Sequence, residues 1–414
     1  MSRRRSTPFS LPRPLARQVA EARSLARERG IALYLVGGAV RDLLLGRSSA
    51  DVDLVVETDA AGFAGELARR LGGTLKLHGK FGTAVLETPD GGKLDVATAR
   101  AEDYDRPGAL PRVRPGGIED DLARRDFTVN AMALEIARAK TPRFLDPFDG
   151  AADLRRRLIR MLHPRSPVDD PTRAIRAVRY ANRLEFRIES RTRGWIRAAV
   201  REGVLDGVSG DRLRREIALL FSETNPADAA RAMDALGLAA AVHPGLRFDA
   251  RAARRLRAAE RTAEKEGSRA TWLVYLLAWM GETSEAAADA VAGRLSLPGR
   301  PARIVRAWPR TERALSAADR ESPSKLGAKL EGLSDDEVIA AAAMLPPPAR
   351  RRLLAARRAL PDLQLRIRGK DLVAAGVPPG PAIGRALSAT LTARRDGAIR
   401  PEEELAFALE AARS

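Results

Sequence analysis

The chain of 414 residues carries 72 lysines and arginines against 54 acidic residues, a formal net charge of +18 with a pI near 11.0. Such a balance favours a polyanionic partner, since arginine suits phosphate forks, although a GC-rich genome inflates arginine and alanine to the same effect. The absence of cysteine excludes disulfides, zinc–thiolate sites and thiol nucleophiles, and the only histidines, His78, His163 and His243, are too scattered to form a metal cluster.

At roughly 100–200 residues per domain the length has room for about two to four units. Residues 1–30 read as a basic arm with a helix ending at Gly30. No long apolar run follows Met1-Ser2-Arg3-Arg4-Arg5, and the most apolar segment, Trp272–Met280, is too short to span a bilayer. No signal peptide and no membrane partner are therefore expected, and a cytoplasmic location is.

From residue 31 the texture alternates. Strand-like runs at Leu33–Val36, Val52–Glu57, Thr83–Glu87 and Lys93–Thr98 are separated by helical and glycine-rich segments. The first run ends in Gly37-Gly38, and Arg41 with Leu43-Leu44-Leu45 then starts a helix. An N–H-rich turn at such a place favours phosphate. Asp51 and Asp53 follow, two apart in a strand, so both carboxylates share one face and can address one metal ion. Oxygen ligands without His or Cys suit Mg²⁺. Asp95, in the run Lys93–Thr98, adds a third carboxylate that would activate an attacking hydroxyl or share a metal; a strand carboxylate facing solvent is the plain alternative.

Glu119-Asp120-Asp121 opens what reads as one amphipathic helix running through Arg124-Arg125-Asp126 to Ala133. In it Arg125 would hold a triphosphate, and Asp126 and Asn130, at i and i+4, would share a face and bond ribose hydroxyls. An aspartate helix cap accounts for the same pattern without a ligand.

From about residue 151 alanine, leucine and arginine dominate at helical spacing and only helices are evident. Asp170 followed by Pro171 reads as an N-cap and first helical position. Beyond it Arg173, Arg176, Arg179 and Arg183 fall within about 120° of one another, opposite a small apolar face, as a guanidinium ladder about 15 Å long. A carboxylate and an arginine one turn apart would read the edge of a nucleobase without a template, while the later arginines hold phosphates. A solvated basic stripe is the alternative.

The Gly-Gly turn and Asp-x-Asp pair together resemble the nucleotidyltransferase signature of the polymerase β superfamily. Gly-Gly-x-Val-Arg-Asp, Asp-x-Asp, Arg-Arg-Asp-Phe-Thr-x-Asn-Ala, the linker Asp146-Pro147-Phe148-Asp149-Gly150 with Asp153-Leu154, and the Asp-Asp-x-x-Arg helix occur in order over residues 31–250. As a set they resemble the class II tRNA nucleotidyltransferases, which include CCA-adding enzymes and bacterial poly(A) polymerases. The family usually has Glu at the first position of the last motif, where this chain has Asp169.

The resemblance implies an α+β protein. Its polymerase β-like nucleotidyltransferase head has a small mixed sheet at 31–155, followed by an all-helical neck at 156–225, body at 226–310 and tRNA-binding tail at 311–414. It also implies that Asp51 and Asp53 bind Mg²⁺ and that Gly38, Arg41 and Arg125 hold the incoming nucleotide. Asp170 and Arg173 would read the base of CTP or ATP, and Arg176 and Arg179 would reach the triphosphate. Asp211-Arg212-Leu213-Arg214-Arg215-Glu216 resembles the next family block; Gly369-Lys370-Asp371-Leu372 and Pro379-Gly380-Pro381-Ala382-Ile383-Gly384 resemble the tail.

The expected partner is the tRNA 3′ end, to which C, A or CCA is added from CTP and ATP with release of pyrophosphate. A poly(A) polymerase and an inert RNA-binding homologue are the competing readings. One segment bears on that choice and a second on which nucleotides are added, against C alone. His78-Gly79-Lys80-Phe81-Gly82-Thr83-Ala84 resembles the CCA-type strand, and Arg100–Gly117, with Tyr104-Asp105-Arg106-Pro107, reads as a mobile loop that switches specificity towards ATP.

Overall fold

The computed structural model describes residues 13–48, 52–78, 82–137 and 142–413. Its chain divides into two compact units, Met1–Val208 with Leu236–Ala241, and Ser209–Ala235 with Val242–Ser414.

The first unit is built on a seven-stranded mixed sheet. Its strands are β1 (Leu33–Val36), β2 (Val52–Val56), β3 (Thr74–His78), β4 (Thr83–Glu87), β5 (Lys93–Thr98), β8 (Ala133–Glu135) and β9 (Arg143–Leu145), in the spatial order β3-β4-β5-β2-β1-β8-β9. Between β5 and β8 in the chain, β6 (Arg100–Asp103) and β7 (Arg112–Pro115) form a separate antiparallel hairpin. Thus the two ends of the segment expected to be a loop are paired backbone, while 104–111 between them is an irregular connection. Only β2 and β5 run parallel within the large sheet, in a register that sets Asp53 beside Asp95.

Residues two apart share a face. Val55 therefore lies on the same face as Asp53, and it packs with Tyr34, Val36, Ile118 and Leu122 in one buried cluster. Leu33, Leu35, Leu54, Leu86 and Leu94 are fully buried, each such side chain contributing roughly 1.5–3 kcal/mol by leaving water. The helices here are α1 (Arg13–Glu28), α2 (Gly38–Leu44), α3 (Ala60–Leu71) and α4 (Ile118–Ala123). Asp59 starts α3 by accepting from the Ala61 and Gly62 amides, and Gly72, at φ 64°, ends it.

The helix expected over 119–133 is shorter than its pattern suggested. The amide of Ile118 donates to Glu57 and that of Gly117 to Asp120, which starts α4, but the helix stops at Ala123. A single 3₁₀ turn, Thr128–Asn130, follows, and the chain then enters β8. Thr128, Val129 and Asn130 are buried there, so tertiary packing overrides the helical spacing.

Helices α5 (Gly150–Arg156), α6 (Ser166–Asp169), α7 (Thr172–Leu184) and α8 (Ser190–Arg201) follow in the unit, to which most of the short helix Leu238–Val242 also belongs. Two short parallel strands, β10 (Leu158–Ile159) and β11 (Arg187–Ile188), join the chain on either side of α6 and α7, so the part beyond 151 is not purely helical. Gly150 sits where a Cβ would come within 2.2 Å of the Thr128 carbonyl oxygen, which requires a glycine. Asp146 accepts from the Gly150 and Ala151 amides, and buried Asp153 accepts from Thr128 Oγ1 at 2.7 Å and from Arg160.

The second unit is helical throughout its described residues. Trp272–Met280 is its core helix, buried on all sides from Leu273 onward, which accounts for its apolar sequence. Trp279 donates to the Arg247 carbonyl, Trp308 to that of Gly281, and Arg255 holds the last carbonyls of this helix at Ala278 and Trp279. No helix among the described residues is long and apolar enough to cross a membrane.

Candidate active site

The functional side chains converge in the first unit around a cavity of about 360 Å³, lined by Gly37, Gly38, Asp53, Glu102, Tyr104, Pro111, Arg124, Arg125, Asp126, Asn130, Asp170, Arg173, Arg176 and Tyr180. Gly37 turns the chain from β1 into α2 at φ 66° and ψ −126°, and a Cβ there would lie 2.6 Å from Arg125 Nη1. The turn therefore brings a guanidinium against bare backbone.

Asp53 is placed by β2 on the wall of this cavity. Asp95 is beside it in register, with Oδ1 buried and unpartnered among the described residues and Oδ2 3.8 Å from Lys93 Nζ. Asp95 is not itself part of the lining. Asp51 lies outside the described residues. Among those residues no group of three or more metal-ligating side chains converges. An orphaned carboxylate oxygen next to Asp53 nevertheless fits a hard-cation site of oxygen donors, the chemistry Mg²⁺ requires.

A buried polar chain forms the floor. Arg41, 3% exposed, donates from Nη1 to Asn130 Oδ1 at 2.8 Å and from Nε to Asp42 at 2.9 Å. Asn130 Nδ2 donates to Asp126 Oδ1 at 3.0 Å, so the i, i+4 contact expected of a helix is made across a 3₁₀ turn. Arg176 Nε donates to Asp126 Oδ2 at 3.0 Å. Burial alone would raise the Asp126 carboxyl; the charge of Arg176 and the bond from Asn130 outweigh it and hold the group below the usual carboxylate range.

Asp121, completely buried, carries both arginines of the Arg-Arg-Asp motif, with Arg124 at 2.6 Å and Arg125 at 2.8 Å. Here too burial raises the carboxyl while Arg125 and Arg124 more than reverse it. Arg124 also pairs with Glu102 of β6 at 3.0 Å, and Glu102 accepts from the Tyr104 hydroxyl at 2.9 Å. Burial raises the Tyr104 phenol.

Two residues before α7, Asp170 Oδ1 accepts from Thr172 N at 3.0 Å and Thr172 Oγ1 at 2.6 Å, so this carboxylate holds the first residue of the helix while it lines the cavity. The helix itself starts at Thr172, one residue later than expected. Arg173 is clamped by donating to the Arg124 carbonyl at 2.6 Å, Ser166 Oγ at 3.0 Å and Tyr104 at 3.4 Å. The ladder of guanidiniums is not a free face: Arg173 and Arg179 are buried, Arg176 is partly covered and only Arg183 is exposed. Arg173 and Arg179 are covered and Arg176 faces the cavity, so the first turns of α7 do not form a solvated stripe. Neither Arg41 nor Arg179 belongs to the cavity lining; both lie behind it.

Glu102, Tyr104 and Pro111, within the segment expected to switch specificity towards ATP, also line the cavity, as do Arg124 and Tyr180; none was singled out as a site residue in the sequence. Glu102 and Tyr104 belong to a segment legible only as a loop. Tyr180 has a signal, being the one aromatic residue inside the arginine-rich helix.

Carboxylates on two central strands of a mixed sheet, a glycine turn under an arginine and a cavity walled by guanidiniums define a phosphate-handling site. Comparison with known proteins agrees. The Poly A polymerase head domain matches residues 33–160, and the probable RNA and SrmB- binding site of polymerase A matches 185–249. The A-adding tRNA nucleotidyltransferase of Geobacter sulfurreducens is 34% identical over 98% of this chain and 48% of its own length. The CC-adding tRNA nucleotidyltransferase of Deinococcus radiodurans is 35% identical over 92% of this chain and 89% of its own. The Thermotoga maritima CCA-adding enzyme complexed with tRNA(CCA) superposes with a TM-score of 0.78 at 30% identity, covering 97% of this chain and 95% of that one. The chain therefore belongs to the tRNA nucleotidyltransferase family, with a poly(A) polymerase-type head. It spans about half the length, or less, of the A-adding relatives it matches.

Proposed function

We propose that the protein adds C, A or both to the 3′ end of tRNA from CTP and ATP, without a nucleic-acid template and with release of pyrophosphate. The observation that carries this reading is the clamping of Arg173 beside Asp170 on the wall of the cavity that also holds Asp53 and Arg125. The 3′ hydroxyl attacks the α-phosphorus and pyrophosphate leaves, so positioning and electrostatics supply most of the rate.

Asp51 and Asp53 would hold Mg²⁺, with Asp95 beside them; when bound, the ion lowers the hydroxyl pKa and neutralises charge on the leaving group. Gly38 and Arg125 address the phosphates. Asp126 and Asn130 meet the ribose, while Arg41 behind them fixes Asn130. Arg176 and Arg179 carry positive charge towards the triphosphate, and Arg176 exchanges its bond with Asp126 to do so. Asp170 accepts from the exocyclic amine common to cytosine and adenine, and Arg173 donates to the acceptor next to it. The division into head 31–155, neck 156–225, body 226–310 and tail 311–414 accompanies this reading, as does a cytoplasmic location.

The test is discrimination. Arg173→Ala lowers incorporation of both CTP and ATP, whereas Asp170→Ala narrows the gap between CTP and UTP by about tenfold, the equivalent of roughly 1.4 kcal/mol. Full discrimination in Asp170→Ala would leave that carboxylate with its capping role alone.

A further inference from the structure

Three guanidiniums surround a single ring in the first unit. The Cζ atoms of Arg179, Arg41 and Arg176 lie 4.9, 5.5 and 5.8 Å from the centroid of Tyr180. They come from two elements, α2 and α7, and their charges would repel one another without a shared counterweight. Asp42 answers Arg41 directly, and Asp126 answers Arg176 directly and Arg41 only through Asn130. The π face of Tyr180 is what all three have in common, and cations within about 6 Å of such a face are attracted to it. The ring is itself held in place: Phe127, fully buried, meets it edge-on at a centroid distance of 5.6 Å and an interplanar angle of 68°. Phe127 directly follows Asp126, so the same short segment fixes the ring and the carboxylate that Arg176 grips.

We propose that Tyr180 is a positioning residue for nucleotide binding: its ring is the platform that gathers Arg41, Arg176 and Arg179 and sets the positive field behind the cavity. This rests on the nucleotidyltransferase reading above. Arg41 reaches the cavity through Asn130, and Arg176 through Asp126 and its own place in the lining. Loss of the platform therefore loosens both polar arms of the floor at once. Bulk alone does not replace it, since a leucine fills much of the space but has no quadrupole.

The experiment compares Tyr180→Leu with Tyr180→Phe in the full chain. Binding of CTP and of ATP is measured by calorimetry, and KM and kcat on a tRNA lacking its terminal nucleotides are measured in parallel. Removing the ring is expected to weaken nucleotide binding and raise KM by about tenfold with a smaller change in kcat, while Phe restores most of the loss because it keeps the π face. Equal nucleotide affinity in the Leu and Phe variants would overturn the platform, as would a lowered melting temperature in Tyr180→Leu with unchanged affinity, which assigns the ring to packing. Failure of the wild-type chain to extend tRNA would instead refute the proposed function, and the binding comparison still decides the role of Tyr180.

Discussion

Gly37→Ala is the most informative single substitution at the site, because two separate penalties meet there and a second glycine isolates one of them. The backbone at φ 66° and ψ −126° is a region that residues with a Cβ avoid, and occupying it costs roughly 1–3 kcal/mol. The new methyl group would also stand 2.6 Å from Arg125 Nη1, so that nitrogen must shift from its bond to the Asn130 carbonyl and turn the guanidinium within its pair with Asp121. Gly30 has the same φ of 66° with nothing within 4 Å of its would-be Cβ, so Gly30→Ala carries strain without displacing any side chain. Both variants should lose stability, by several degrees in Tm for a unit of about 200 residues. Only Gly37→Ala should also raise KM for the nucleotide, by about tenfold if roughly 1.4 kcal/mol of Arg125's contribution is lost. Thermal melts and initial rates against CTP and ATP concentration read the two effects apart. A nucleotide KM in Gly37→Ala equal to that of Gly30→Ala would refute the assignment of Arg125 to the phosphates.

Other consequences follow from the buried charges. Asp121 ionises below its unfolded value of 3.8, so it contributes stability above that pH, and the contribution is lost as the pH falls from 3.8 through the folded value. Asp121→Asn should therefore flatten the acid limb of the first unit's stability profile, as followed by circular dichroism between pH 5 and 2. Asp153→Ala strips the carboxylate from buried Thr128 and part-exposed Arg160 and should destabilise the unit by about 1–3 kcal/mol, read by urea denaturation. If the basic helices track phosphates, tRNA affinity should fall on the order of tenfold or more between 50 and 200 mM salt in a filter-binding titration, and a flat response would assign the charge to genome composition.

The parts of the site legible in the sequence are those where residue type and local spacing coincide. Gly37-Gly38 after a short apolar run, Asp53 on a strand and Asp170 before Pro171 all declare themselves within a few residues, and the structure sets them on one cavity. What stayed hidden depends on partners far along the chain. Arg173 and Arg179 looked like an exposed ladder because periodicity orders residues around a helix but does not say what covers either side. In the structure Arg124 and Tyr104, 49 and 69 residues away, cover Arg173. The same limit explains the helix expected to run on to Ala133: its i, i+4 pair, Asp126 and Asn130, is real but joins across a 3₁₀ turn. Glu102 and Tyr104 fell in a segment legible only as a specificity loop, and their individual places come from the pairing of β6 with β7 and from contacts to Arg124 and Arg173. Arg41 was legible as a nucleotide contact, whereas the structure sets it behind Asn130.

The central claim, template-independent addition of C and A at a tRNA end, is tested most directly by product length. The purified protein is incubated with tRNA ending before the first C, after C or after CC, each with CTP, ATP or both, alongside Asp53→Ala. The account predicts short, defined extension that stops at or before CCA and that disappears in Asp53→Ala. An open-ended run of A on any RNA would make the protein a poly(A) polymerase, and extension by the Asp53→Ala variant at the wild-type rate, or none by wild type, would contradict the account.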